Sequence, residues 1–146
     1  MILDKLGQLC KLQALTGSAI STNVIDLGVA GSGLPDGTVL ECELTVDVAA
    51  DATTGDETYS FSVDTSAVVG LTTPTSLCTR AIARGLLTAG SKHRFPLAPG
   101  VAMLQFLGIN FTLGGTTPLI TVTAHIIPNK LGESVQRHYP SGFAVL

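Results

Sequence analysis

Alternation of apolar and polar residues is the strongest pattern in the chain. In Thr38–Val48 every second residue from Leu40 onward is apolar, while Glu41 and Glu43 belong to the opposite face. This two-residue period predicts a strand with one face in a core. After a polar turn, residues 58–64 repeat the alternation with Tyr, Phe and Val on one face. The two strands together predict a hairpin.

Further strands follow between turn signals. Asn23–Leu27, Thr75–Ala83 and His93–Leu97 are short, and Pro96 predicts an edge or a strand end for the last of them. The apolar phase of Ala102–Leu113 slips at Leu107-Gly108, which predicts a β-bulge, and Leu119–Ile127 alternates again. The count predicts an all-β fold, a jelly roll or β-sandwich of about eight strands, in a single domain over residues 1–146.

Both ends of the chain depart from this alternation. Leucine recurs every third residue up to Leu15, a spacing that fits either helical turns or an extended arm. The last residues, Leu131–Leu146, have no period and finish with the apolar run Phe143–Leu146. A free tail in water rarely ends this way, so we expect extended N- and C-terminal arms, residues 1–20 and 130–146, that dock on the domain itself or on a neighbour.

The charge content indicates a surface that is covered in an assembly. Charged residues make up 13% of the chain, against about 25% in typical proteins, and the mean hydropathy is +0.45. A soluble monomer normally carries more surface charge, although a surface rich in Thr, Ser and Gly is the alternative explanation. The net charge of −3 and the absence of a basic run argue against nucleic acid as a partner.

The charges are also divided along the chain. Nine of the eleven acidic residues lie between Asp26 and Asp64, and four basic residues follow together, Arg80, Arg84, Lys92 and Arg94. Pairing of acidic with basic strands within the fold would resolve this division. Complementary patches on neighbouring molecules would resolve it equally well, and association would then weaken with salt.

No motif predicts catalysis, a cofactor or a metal. Cys10, Cys42 and Cys78 lack the close pairing of zinc ligands and are expected to be buried reduced thiols. Glu41 and Glu43 have a spacing that glycoside hydrolysis could use, but a solvated strand face is the favoured interpretation. The three histidines are far apart, and no Gly-x-Ser-x-Gly motif occurs. No signal peptide or apolar span indicates a membrane.

Several segments carry a resemblance to a known family. Met1–Lys5, Thr16–Gly28 and the ending Tyr139–Phe143, with the Thr-Pro-Thr-Ser-Leu stretch at Thr73–Leu77, are similar to capsid cement (decoration) proteins of tailed bacteriophages, the Bordetella phage cement type. The resemblance extends over the whole chain in outline. It departs from the family at 29–37 and 130–138, which are candidates for contacts special to one shell.

The resemblance implies a jelly-roll virion protein, made in the host bacterial cytoplasm, that decorates the outside of an icosahedral head. Its partners would be the major capsid protein and a second copy of itself in a homodimer, and it would stabilise the expanded shell. No enzyme activity, cofactor, metal, nucleic acid or membrane is expected. The predicted protein-interface residues are Leu3, Leu6, Leu9, Arg80, Arg84, Arg94, Tyr139, Phe143, Val145 and Leu146.

Two other functions remain open. A carbohydrate-binding β-sandwich on a virion surface would use exposed Thr, Ser and Asp, although Trp is absent; a glycan array tests this function. A jelly-roll enzyme of the cupin type would hold a transition metal, which metal analysis of the purified protein would detect.

Overall fold

The computed structural model describes residues 7–28, 40–51, 53–97 and 103–128, which form nine β-strands and one 3₁₀ turn. The expected all-β fold is confirmed, and the alternating segments are its long strands. The elements are β1 (Gln8–Leu15), β2 (Ala19–Ile20), β3 (Ile25–Asp26), β4 (Leu40–Val48), β5 (Thr58–Ser66), β6 (Thr75–Ala81), the 3₁₀ turn Arg84–Leu86, β7 (Lys92–Pro96), β8 (Phe106–Gly114) and β9 (Ile120–Pro128).

The strands form two antiparallel sheets. Sheet A has the order β1-β9-β4-β7. Sheet B has the order β2-β8-β5-β6, and β3 pairs with β8 beside β2. If β2 and β3 count as one interrupted strand, eight strand positions are divided equally between the two sheets. Successive strand positions alternate between the two sheets, except that β5 and β6 pair as a hairpin within sheet B, which is the arrangement of a jelly roll.

The core lies between the sheets and is built from the apolar face of each strand. Three fully buried rings join the two layers, since Phe61 of β5 lies 6.0 Å from Phe111 of β8 and 6.3 Å from Phe95 of β7, measured between ring centroids. The contact between Phe61 and Phe111 is edge-to-face, the arrangement that aromatic quadrupoles favour. Alternation along β4, β5 and β9 therefore predicted the buried faces of these strands correctly.

The predicted hairpin of β4 and β5 is wrong. β4 pairs with β7 and β9 in sheet A, whereas β5 pairs with β6 and β8 in sheet B. The two strands belong to opposite sheets, and each has one apolar face because that face packs into the shared core. Alternation identifies the buried face of a strand but not the strand beside it.

The leucine repeat at the N-terminus belongs to a bulged strand. β1 is the edge strand of sheet A, with register shifts on both sides of Cys10. Leu9 and Leu15 enter the core, while Leu12 points outward at 60% exposure with a φ of 49°. The structure therefore places Gln8–Leu15 in the sandwich rather than in an arm or a helix. The three-residue spacing reflects a two-residue period interrupted by a bulge.

No bulge interrupts the pairing of β8 with β5 at Leu107-Gly108, where one was predicted. The irregularity lies instead in residues 21–24, between β2 and β3 on the other side of β8. A Cβ atom on Gly108 would lie 2.6 Å from the Leu71 side chain and 3.2 Å from Ser21 Oγ. Glycine is present there because neighbouring side chains pack directly on the strand.

Several predictions concern residues outside the described ranges. They include the loop at 29–37 and the whole C-terminal arm, 130–146, and they stay predictions.

Candidate interaction surface

The outward face of β4 carries two carboxylates that are almost inaccessible. Glu41 is 7% exposed and Glu43 is 3% exposed. Arg94 on the adjacent β7 donates from Nη1 to Glu41 Oε1 at 2.8 Å and from Nη2 to Glu43 Oε2 at 3.0 Å. Lys92 Nζ donates to the other oxygen of Glu43 at 3.1 Å. The expected solvated glutamate face is therefore wrong, because the two basic side chains pair with the carboxylates and allow their burial.

This ion-pair network sets the protonation of its centre. Burial acts to raise the pKa of Glu43, but the hydrogen bonds and charges of Lys92 and Arg94 outweigh it and hold that pKa below its ordinary value. His125 lies opposite Glu43 on β9. Burial lowers the pKa of His125, and the Glu43 charge offsets only part of that effect. Glu43 is therefore ionised and His125 neutral near pH 7, an arrangement suited to structure rather than to proton transfer.

The other end of the same face is apolar. Thr121 of β9 lies between Ala14 of β1 and Val48 of β4 in register. Val48 is 51% exposed, and Leu119, which directly precedes β9, is 41% exposed. Leu12 projects from the bulge of β1, the strand that flanks β9 on the side opposite to β4. We call Leu12, Val48 and Leu119 the apolar patch.

The bulge that presents Leu12 is held by a relay of hydrogen bonds. The Leu12 N–H donates to Thr123 Oγ1 at 3.0 Å, and the Thr123 hydroxyl donates to Asp47 Oδ2 at 2.6 Å. A left-handed φ is unfavourable for leucine by about 1–2 kcal/mol. The strand therefore stabilises an unfavourable backbone conformation that turns a large apolar side chain to the outside.

A shallow pocket of about 380 Å³ adjoins the apolar patch, lined by Thr16, Asp51, Thr117, Pro118 and Leu119. The buried Tyr59 supports it from below, since its hydroxyl accepts from the Leu119 N–H at 3.2 Å. Among the described residues no buried side-chain nitrogen or oxygen lacks a hydrogen-bond partner. The pocket shares Leu119 with the apolar patch.

The loop between β4 and β5 holds a second set of acids, and hydroxyl groups are their main partners. The Asp56 carboxylate accepts from the backbone and hydroxyl of Thr116 and from the Thr54 hydroxyl. Glu57 accepts from Thr54 and pairs with Arg84 at 3.0 Å. The Thr54 hydrogen bond, with further backbone donors, lowers the pKa of Glu57 to about 2. These contacts fasten the loop to the β8–β9 connection.

The outer face of sheet B is lined by small hydroxyl and amide side chains. Ser62 of β5 lies in register between Thr79 of β6 and Asn110 of β8. Its hydroxyl contacts Ser76, Thr79 and the buried carboxylate of Asp64. This face satisfies its own hydrogen bonds and presents one large apolar side chain, Ile20, at its edge with 37% exposure.

Two of the three thiols lie in the core of the sandwich. Cys10 and Cys42 are buried, and burial raises the pKa of both thiols, that of Cys10 to about 11. They are therefore protonated near neutral pH and poor nucleophiles. Within these ranges no three His, Cys, Asp or Glu side chains lie together so as to hold a metal ion. No helix in this part of the chain is long and apolar enough to cross a bilayer.

The predicted interface residues separate into three groups. Leu9 is fully buried in the core of the domain and is not available as a contact. The arginines lie along the β6–β7 side: Arg84 and Arg94 pair with acids of the same chain, and the exposed Arg80 donates to Arg94 O at 3.4 Å. The division of charge is thus resolved within the fold for the pairs described. The others lie outside the described residues, namely Leu3, Leu6, Tyr139, Phe143, Val145 and Leu146.

Sequence reasoning missed the apolar patch. Val48 ends the β4 alternation and Leu12 belongs to the leucine repeat, but neither pattern indicates exposure. Leu12 faces outward only because of the bulge, and no residue type marks that position as a bulge. Leu119 lies at the start of a strand with nothing in the sequence to distinguish it.

Comparison with known proteins gives one family match. The sequence model of the Bbp16 family matches residues 9–126, most of the chain. No curated protein matches the sequence. A solved structure titled "Structure of infectious bursal disease virus Gx strain" aligns over 82% of this chain with a TM-score of 0.38 and 14% identity. The alignment spans 30% of that chain, and a likeness this distant carries no argument about function.

Proposed function

The chain belongs to the Bbp16 family of Bordetella phage proteins, and from this premise we propose that it cements the outside of a tailed-phage head. Family membership suggests a structural protein of the virion. In the proposed role the chain binds neighbouring major capsid protein subunits and stabilises the expanded, DNA-filled shell. Such a protein needs a surface for partners and no reaction centre.

One observation carries the proposal, namely the exposure of the apolar patch in the single chain. Three large apolar side chains, Leu12 of β1, Val48 of β4 and Leu119 directly before β9, are each at least 41% exposed. Removing apolar surface from water is favourable by about 25 cal/mol per Å² before the entropic cost of binding is subtracted. The adjoining pocket would receive a projecting side chain of a partner. Repetition of one modest contact over a whole shell then gives strong attachment through multivalency.

The exposed basic side chains on the same face support the proposal. Lys92 and Arg94 are 58% and 50% exposed, although their carboxylate partners are nearly inaccessible. A partner that approaches this side of sheet A therefore meets basic groups. Cations at the rim of an interface contribute mainly to orientation and association rate. A shell surface with acidic groups opposite β7 would be complementary.

Decoration of empty expanded heads tests the proposed function. Purified chain mixed with heads lacking it should give ordered density at repeated positions and raise the temperature at which the heads disrupt, by mass action. Removal of residues 141–146 should abolish binding while the sandwich still folds. Heads that stay bare at a large excess of chain would contradict the proposal, as would full decoration by the shortened chain.

A further inference from the structure

Among the described residues of the single chain, the apolar patch is left exposed. Leu12 of β1, Val48 of β4 and Leu119, which directly precedes β9, remain 60%, 51% and 41% exposed. An exposed patch of this kind indicates an interaction site rather than an ordinary surface.

The backbone at Leu12 strengthens this interpretation. Leucine rarely adopts a φ near +49°, and here the conformation is maintained by the relay from Thr123 to Asp47. Strained positions that the surrounding structure maintains occur preferentially at functional sites. The effect of the bulge is to turn the apolar Leu12 side chain to the outside of the sandwich.

The end of the chain has the composition and reach to fill the patch. Phe143–Leu146 is an uninterrupted run of apolar residues without a charged side chain. β9 ends at Pro128, and the fifteen residues from 129 to 143 can extend about 50 Å. The nine residues of β9 are about 30 Å long, so the run can reach past its own domain to a neighbour.

We propose that the apolar patch binds residues 143–146 of a second copy of this chain. Phe143 or Leu146 would enter the pocket beside Leu119, and the remaining apolar side chains would cover Leu12 and Val48. Each copy would then bind residues 143–146 of one neighbour. Its own residues 143–146 would bind either that same neighbour or a different copy. The inference rests on the proposed function, because a decorated shell places copies within reach of each other.

Cross-linking on decorated heads tests the contact directly. A photoreactive benzoyl-phenylalanine replaces Phe143 in the full chain, and equal amounts of isotopically light and heavy chains are bound to the heads. Mass spectrometry after illumination should find light–heavy cross-links to peptides containing Leu12, Val48 or Leu119. Cross-links to the shell protein, within one chain only, elsewhere on a copy, or none at all would each overturn the proposal.

Variants of the patch provide the matched control. Leu12→Asn removes the apolar side chain and suits the left-handed backbone, so it should fold and lower the cross-link yield at least tenfold. Val69→Asn changes a residue of equal exposure, 61%, in the β5–β6 loop and should leave the yield unchanged. Val48→Thr keeps a β-branched strand residue and serves as a second patch variant, with the same loss expected.

The same samples separate this inference from the proposed function. The number of chains bound per head is measured before illumination. Failure of the unmodified chain to bind contradicts the proposed function. Normal binding with cross-links at other positions, or an equal yield from Leu12→Asn and Val69→Asn, contradicts the tail contact alone.

Discussion

The outer faces of the two sheets differ in how they meet their surroundings. On sheet B, Ser62, Thr79 and Asn110 form rows of small polar side chains, and Ser62 bonds to its neighbours. On sheet A, the ion-pair network occupies one end and the apolar patch the other. Water can hydrogen-bond to these polar side chains on the outer face of sheet B. The apolar end of sheet A is stabilised when a partner covers it. The low charge of the chain therefore leaves a polar, hydrated face on sheet B and an exposed apolar end on sheet A.

Loss of Arg94 should produce the largest effect on stability. Arg94→Ala leaves Glu41 and Glu43 buried with one remaining cation, Lys92. We expect the free energy of unfolding to fall by about 1–2 kcal/mol, less than for a fully buried pair because half of the Arg94 side chain is exposed. Urea denaturation measures the change. Arg80→Ala is the control on the same side, and an equal loss in both variants would contradict the assigned role of the network.

Acid should weaken sheet A through Glu43. Its pKa is lowered in the folded chain, so the unfolded chain takes up the proton first as the pH falls. The stabilisation is complete above the ordinary pKa of about 4.5 and is lost as the pH falls through the folded-state pKa. Glu57 adds a loss in the same direction with its pKa of about 2.

Urea denaturation between about pH 6 and pH 3 measures this dependence. The stability of Glu43→Gln should fall less steeply with pH than that of the unmodified chain. The Ser62→Ala variant of sheet B should keep the full slope. Equal slopes for Glu43→Gln and the unmodified chain would contradict the pairing.

The hydroxyl cluster of sheet B should be less sensitive to substitution. Ser62→Ala removes one donor to the buried Asp64, but the Ser76 hydroxyl still donates to it at 3.0 Å. We expect a loss of about 0.5–1 kcal/mol in the free energy of unfolding, the usual value for one hydrogen bond. Decoration of heads should not change. Weaker decoration by this variant would place the contact face on the wrong sheet.

The smallest expected change in stability has the opposite sign. Leu12→Asn relieves an unfavourable backbone conformation and exposes less apolar surface, so the free energy of unfolding should rise by about 0.5 kcal/mol. Thermal unfolding measures it. A more stable chain that decorates less well would separate folding from attachment at one residue. A less stable Leu12→Asn chain would show that Leu12 supports the fold itself.

Alternation predicted the sandwich well but not its partners. Tyr59, Phe61 and Val63 are buried as their period required, and Pro96 ends an edge strand. The pairing of β4 and the burial of Glu41 could not be predicted, because both depend on residues far away in the chain such as Arg94. The apolar patch depends on a bulge in β1, and the sequence resembled a helix or an arm there. The two-residue period indicates which face of a strand is apolar. Whether a given side chain on that face is exposed depends on the whole fold.

The orientation of the sandwich on a decorated head tests the central claim most directly. Electron cryomicroscopy of heads saturated with the chain would show which sheet meets other molecules. We predict that the outer face of sheet A, with Leu12, Val48 and Leu119, contacts neighbouring protein, while Ser62 and Thr79 face solvent. A map in which the apolar patch faces open solvent and sheet B forms the contacts would contradict the account.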